Sequence, residues 1–233
     1  MLDFTRFAYL SFDCYGTLVD WETGILEALL PVFERHGAPF DEGRTLDLYA
    51  QLESEEEQGP YKPYRAVLRN VTMGIASRSG ITPTPRDLDA LPDSIGGWLP
   101  FPDTLEALAR LKARYKLVVI SNVDDDLFAG TDRALGSPFH AVITAEQVGS
   151  YKPSLENFRF ALQKLGVAKD DVLHVAQSLY HDHAPAKVLG LASVRVNRPS
   201  RRRGVGLALP SGARPDLEVP DLATLVEAAG LKF

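Results

Sequence analysis

The chain has 233 residues, enough for one large α/β domain or for a core with a smaller insertion, and its 45% hydrophobic and 24% charged content is ordinary for a globular protein. A net charge of -6 argues against nucleic acid as a partner, and the single cysteine, Cys14, excludes an internal disulfide. No apolar run is long enough to span a bilayer and the N-terminus lacks the basic start and apolar core of a signal peptide, so a cytoplasmic protein without a membrane partner is expected.

The run Phe7 to Phe12 reads as a short, mostly apolar strand leading directly into Asp13 and a Gly-containing turn, Cys14-Tyr15-Gly16-Thr17-Leu18. Such a run suits a parallel strand covered on both faces, whose carboxyl end can deliver a functional group. Cys14, with no His beside it in sequence, reads as a buried structural thiol. Glu22 to His36 carries Ile25, Leu26, Leu29, Leu30 and Phe33 at helical spacing, with Pro31 expected to kink the helix. From Asp41 to Leu91 the strand signal vanishes: helical patterns cover Gly43 to Gln58 and Tyr64 to Ser79, and a short helix follows from Arg86. The acidic run Glu53, Glu55, Glu56 and Glu57 reads as a solvated helix face. The block 21–95 thus has the character of a helical cap domain inserted into a core made of 1–20 and 96–233, a lid that would exclude water and select the substrate.

Beyond Gly96 to Pro102, strands and helices alternate regularly, which predicts a Rossmann-like α/β fold with a parallel sheet and helices on both faces. A helix over Asp103 to Ala113 precedes the strand Leu117 to Ile120, which ends in Ser121-Asn122. Another helix, about Asp124 to Leu135, precedes the strand Ala141 to Ile143 and then Ser150-Tyr151-Lys152-Pro153. After a helix ending at Gly166, the strand Val172 to Ala176 leads to Gln177-Ser178-Leu179-Tyr180-His181-Asp182, a helix to Gly190 and the strand Ala192 to Val196. The Pro- and Gly-rich tail closes with an amphipathic helix from Asp221 to Ala229. Arg198, Arg201, Arg202 and Arg203 form a basic cluster in that tail, expected to be a solvated loop.

Four strand ends therefore offer Asp13 with Tyr15 and Thr17, Ser121 with Asn122, Lys152, and Asp182. Taken singly, each has a plainer explanation: Asp13, Ser121-Asn122 and Asp182 could be caps, and Lys152 an exposed turn residue. Taken together, neighbouring carboxyl ends of one parallel sheet would bring them to a single small ligand. Asp13 is then the candidate nucleophile, Lys152 the charge partner that lowers its pKa and neutralises an anionic substrate, and Thr17, Ser121, Asn122 and the amides of the first turn the groups that hold substrate oxygens. His181, Asp182 and His183 are adjacent, so at most one or two of them can share a site.

Asp13-Cys14-Tyr15-Gly16-Thr17-Leu18, Ser121-Asn122, Lys152-Pro153 and Asp182 together resemble the four motifs of the haloacid dehalogenase-like hydrolase superfamily, and Tyr15, two places after Asp13, is most similar to its type II haloacid dehalogenase branch. The resemblance implies Asp13 as nucleophile, Thr17 and Ser121 as orienting groups, Lys152 as charge partner and Asp182 as helper in hydrolysing the ester. Phosphatases of the superfamily usually carry an Asp where Tyr15 stands, and a carboxylate where Gln177 stands, so the resemblance to a magnesium-dependent phosphatase is weaker. If Mg²⁺ were bound, Asp13 and Asp182 would hold it. Known 2-haloacid dehalogenases place an arginine early in the cap to accept the halide; here Ala50 and Gln51 fall at that place, leaving Arg44 or Arg65 to fill it. They also carry a Tyr where this chain has Phe158 and an Asn where it has Leu179.

The expected function is a cofactor-independent hydrolase that displaces a halide from a small 2-haloacid through an ester on Asp13, with Asp182, and His181 or His183, assisting as base. The alternative is a Mg²⁺-dependent phosphatase of small phosphate esters; a third reading is a catalytically reduced binding protein. The expected partner is a small anionic substrate, with a homodimer as the one macromolecular assembly admitted.

Overall fold

A computed structural model of the chain describes residues 2–200 and 211–233. The first strand, β1, is Tyr9–Phe12, and a helical block follows it: α1 Trp21–Arg35, α2 Glu42–Glu57, α3 Tyr64–Arg78, α4 Pro85–Leu88 and α5 Ala90–Ser94. The chain then alternates through α6 Thr104–Lys112, β2 Lys116–Ser121, α7 Asp125–Ala134, β3 Ala141–Thr144, α8 Ala145–Val148, α9 Leu155–Leu165, β4 Val172–Ala176, α10 Ala184–Leu189 and β5 Ala192–Val196. A last pair, β6 Leu217–Val219 and α11 Leu222–Ala228, completes it.

The six strands form one parallel sheet in the order β3-β2-β1-β4-β5-β6. Every residue of β4, and all of β2 except Lys116, is buried, as strands covered by helices on both faces require. The strand order reverses direction at β1, so the crevice beyond its carboxyl end is where a parallel α/β sheet accommodates a ligand. This is the Rossmann-like α/β architecture expected from the sequence.

Two points of the sequence reading are corrected. β6 was not foreseen: three residues in a Pro- and Gly-rich stretch are too short for periodicity to register, and the strand exists because it adds to the open edge of β5. Pro31 lies inside α1, which is helical on both sides of it, at an exposed position. Arg198 is no solvated loop residue: its side chain is buried, ion-paired with Asp103 at 2.8 Å, stacked over the Phe101 ring and hydrogen-bonded to the Thr17 carbonyl at 3.2 Å. It thereby braces the turn after β1. Arg201, Arg202 and Arg203 lie outside the described residues.

The helical block is fastened over the carboxyl end of the sheet by specific polar contacts. The N-terminus of α3 has no cap of its own, since Pro63 precedes it; Asp124, on the loop after β2, accepts from the Tyr64 and Arg65 amides at 2.8 and 2.9 Å. A carboxylate from the loop after β2 thus caps a helix of the helical block. Tyr151 Oη donates to the Lys62 carbonyl at 2.7 Å, a second tie. Where α1 leaves the core, Gly24 lies directly beneath the Trp98 indole, so close that a Cβ there would sit 2.4 Å from the ring.

Candidate active site

Asp13 sits one residue past β1, its amide held by the Val175 carbonyl of β4 at 3.0 Å. Gly16, at φ +87°, lets the chain turn back at once. Thr17 then reaches the Asp13 carboxylate, its hydroxyl donating to Oδ2 at 2.6 Å while it accepts from the Gln177 amide at 2.9 Å. Lys152, although fully buried, has all three ammonium protons engaged, by Asp13 Oδ1 at 2.8 Å, Asp182 Oδ1 at 2.7 Å and the Ile120 carbonyl at 2.9 Å. Burial alone would pull its pKa down, but the two carboxylates outweigh burial and hold the ammonium charged.

Asp182 is placed by a single π-helical turn, Leu179–His183, between β4 and α10. Burial pushes its pKa up, yet Lys152 and His174 hold the carboxyl well below the usual range. His174, on β4, contacts Asp182 Oδ1 through Nε2 at 3.1 Å and Ser11 Oγ through Nδ1 at 2.9 Å, with the Phe158 ring edge-on against it. Burial and the neighbouring Asp182 raise Asp13, against the pull of Lys152 and the Thr17 hydroxyl.

These groups open into a cavity of about 40 Å³ between the sheet and the helical block. Its core side is Asp13, Tyr15, Ser121, Asn122, Lys152, Gln177, Ser178, His181 and Asp182, and the side facing them is Trp21, Glu53, Glu57 and Tyr64. Two polar atoms on the core side, Ser121 Oγ and Asp182 Oδ2, are buried without a hydrogen-bond partner among the described residues.

The family description haloacid dehalogenase-like hydrolase matches residues 9–190. The chain belongs to this family. It is 26% identical over 204 residues to (S)-2-haloacid dehalogenase 4A of Burkholderia cepacia, covering 80% of this chain and 81% of that one. It is 33% identical over 102 residues to glyceraldehyde 3-phosphate phosphatase of Methanocaldococcus jannaschii, where it spans less than half of that protein, 44%, from 42% of its own length. A crystal structure of an L-2-haloacid dehalogenase superposes with a TM-score of 0.82 at 25% identity, covering 96% of this chain and 99% of that one.

In this hydrolase, the residues expected at the four strand ends do converge, although not all of them face a ligand. Asp13, Lys152, Asp182, Ser121, Asn122 and the Tyr15 ring line the cavity; Thr17 does not, and instead fixes the Asp13 carboxylate. The Tyr15 hydroxyl is turned away to Thr131 Oγ1 at 3.0 Å. Asn122 clamps the Lys152 backbone, accepting from its amide at 2.8 Å and donating to its carbonyl at 3.1 Å. The amides of Gly16, Thr17 and Leu18 bond within the turn rather than toward the cavity. His183 is also excluded: its ring is held by Ser193 Oγ and the Ala176 carbonyl at 3.0 Å each, whereas His181 does line the cavity. Burial pushes both imidazoles down to about 4, so both are neutral near pH 7. Burial likewise pushes the Cys14 thiol up, as a structural cysteine requires.

Arg44 and Arg65 do not fill the arginine position. Arg44 bonds the Arg78 carbonyl and Arg65 pairs with Asp93 and Asp126, all outside the cavity. The reading of Glu53 to Glu57 as a solvated face is overturned for two of the four. Tyr49, Glu53 and Glu57 recur every four residues and so lie on one face of α2, the face turned to the cavity and to Tyr64. Glu55 and Glu56 do point outward, to Gln51 and to Lys62 with Asn70. Glu53 accepts from the Tyr49 hydroxyl at 2.9 Å and from the Tyr64 hydroxyl, and burial raises its pKa to about 7. The four-residue spacing from Tyr49 was the available signal. His174 left none, because a His within an apolar strand does not announce its partner.

Mg²⁺ demands several oxygen ligands. Oδ1 of both Asp13 and Asp182 is engaged by Lys152, Asp13 Oδ2 by Thr17, and Gln177 supplies no carboxylate. Among the described residues no group of three or more His, Cys, Asp or Glu side chains could hold a metal ion. The donor set does not fit Mg²⁺.

Proposed function

We propose that this hydrolase cleaves the carbon–halide bond of a small 2-haloacid through a covalent ester on Asp13, without a metal. The observation that carries the reading is the buried Asp13–Lys152–Asp182 arrangement, in which a charged lysine fixes one carboxylate that can attack and another that can direct water. The Asp13 carboxylate forms a C–O bond to C2 as the C–halide bond breaks, and the halide leaves with the bonding pair. Water then attacks the Asp13 carbonyl carbon, its proton passing toward Asp182 Oδ2, the carboxylate oxygen left without a partner. The ester's acyl bond breaks and a 2-hydroxyacid is released, with Asp13 restored. The unpartnered Ser121 hydroxyl is poised to donate to the substrate carboxylate. The helical block 21–95 serves as the cap domain that shields the ester from bulk water. Seven curated relatives include both dehalogenases and phosphatases; the poor fit to Mg²⁺ favours the former.

Chloride release from 2-chloropropionate, measured by ion-selective electrode, tests the proposal. Wild type should release chloride with EDTA present, and Asp13→Asn should fall by about a thousandfold or more. Turnover of phosphate esters that vanishes with EDTA, with no chloride from any haloacid, would replace this reading with the phosphatase one.

A further inference from the structure

We propose that the haloacid taken by this hydrolase carries an ammonium group, which seats against Glu53 and Glu57 of α2 while the halide-bearing carbon meets Asp13. The inference rests on the carbon–halide reading above and adds the substrate's charge pattern to it.

Among the described residues, Glu53 and Glu57 face the cavity with no cation paired to either. Glu53 receives only the two tyrosine hydroxyls, both on Oε1. Glu57, its side chain 7% exposed, meets Asn122 Nδ2 at 3.3 Å and the neutral His181 ring at 3.9 Å. Among the described residues the cavity lining contains no arginine and one lysine, Lys152, whose three protons are already spent. A buried carboxylate lacking a counter-charge is costly, and it takes up a proton or a cation to relieve the cost. Burial accordingly raises both glutamates. An ammonium arriving with the substrate would supply the missing charge, and two aromatic residues, Trp21 and Tyr64, line the same side.

An independent observation points to a ligand in this cavity. Ser121 Oγ and Asp182 Oδ2, on the opposite side, are buried polar atoms with nothing to bond. A molecule with a carboxylate at Ser121 and an ammonium at the glutamates would complement both ends. The cavity, about 40 Å³, holds only a few water-sized groups, so the two charges are separated by a short carbon chain. A 3-amino-2-halopropionate fits this description. Its displacement follows the same course: the C–halide bond breaks as Asp13 forms the ester, water hydrolyses that ester at the Asp13 carbonyl carbon, and the ammonium is unchanged.

The test is calorimetric binding of two unreactive ligands, β-alanine and propionate, paired with chloride release from 3-amino-2-chloropropionate and 2-chloropropionate. β-Alanine should bind wild type about tenfold or more tighter than propionate, and Glu57→Gln and Glu53→Gln, each checked for a native circular dichroism spectrum, should erase most of that preference. The kcat/KM for the amino compound should exceed that for 2-chloropropionate by a similar factor. β-Alanine binding that is absent, or no tighter than that of propionate, overturns the inference. Retained preference for β-alanine with no chloride from either compound leaves the ammonium site standing and sinks the carbon–halide reading alone.

Discussion

The two sides of the cavity solve the problem of buried charge in opposite ways. On the sheet side a cation is built in: Lys152 is shared by Asp13 and Asp182, both Asp13 oxygens are held, and His174 steadies Asp182. On the helical side Glu53 and Glu57 have hydroxyl and amide neighbours and, among the described residues, no cation paired to them. The matched side is preorganised for one chemistry, because its charges need not move as the reaction proceeds. Under the proposed ammonium site, the helical side would take its counter-charge from the substrate and so select it. Under the two proposals, reaction type would rest with the strand ends and substrate choice with the helical block.

Removing the centre of the matched side should have the largest effect. Lys152→Met leaves Asp13 and Asp182 buried and facing each other without their cation, and should cost about 3–5 kcal/mol of stability in urea unfolding besides abolishing turnover. A loss below about 1 kcal/mol would mean that the sheet side is not balanced as described.

The unmatched side should show itself as a pH dependence. The folded chain holds the Glu53 proton up to about 7 against an ordinary 4.5, so its contribution is fully present below about 4.5 and is lost as pH rises through 7. Glu53→Gln cannot ionise and should be free of this loss. Its stability relative to wild type should therefore grow by about 3 kcal/mol between pH 4.5 and 8, read from denaturant midpoints at each pH. A difference that stays flat with pH would show that Glu53 is already ionised and compensated.

The smallest effect concerns what joins the two sides. Asp124→Ala removes the cap that the core lends to α3 and should destabilise by about 1 kcal/mol, with faster amide exchange at Tyr64 and Arg65. Unchanged exchange there would mean that the tie carries no load.

The matched side was legible in the sequence and the unmatched side was not, for a physical reason. Asp13 follows β1, Ser121 ends β2, Lys152 lies between α8 and α9 beyond β3, and Asp182 lies in the turn beyond β4, and a parallel sheet gathers the segments beyond its carboxyl ends. Glu53 and Glu57 sit in an acidic run whose default is solvation, and only the packing of α2 against α3 and the sheet decides which two turn inward. Thr17 shows the same limit at shorter range: the sequence places it near Asp13, but only the fold shows its hydroxyl holding the carboxylate rather than the substrate. β6 and the buried Arg198 were hidden because a three-residue edge strand and a lone inward arginine have no periodic signature.

The central claim is that an oxygen of Asp13 bonds to the substrate carbon, and a single turnover in ¹⁸O-labelled water with enzyme in excess over a turned-over haloacid tests it most directly. Because water attacks the Asp13 carbonyl carbon, mass spectrometry of the peptide containing Asp13 should show ¹⁸O in its carboxylate and the first product should carry unlabelled oxygen. Label found in the product, with none in that peptide, would contradict the account.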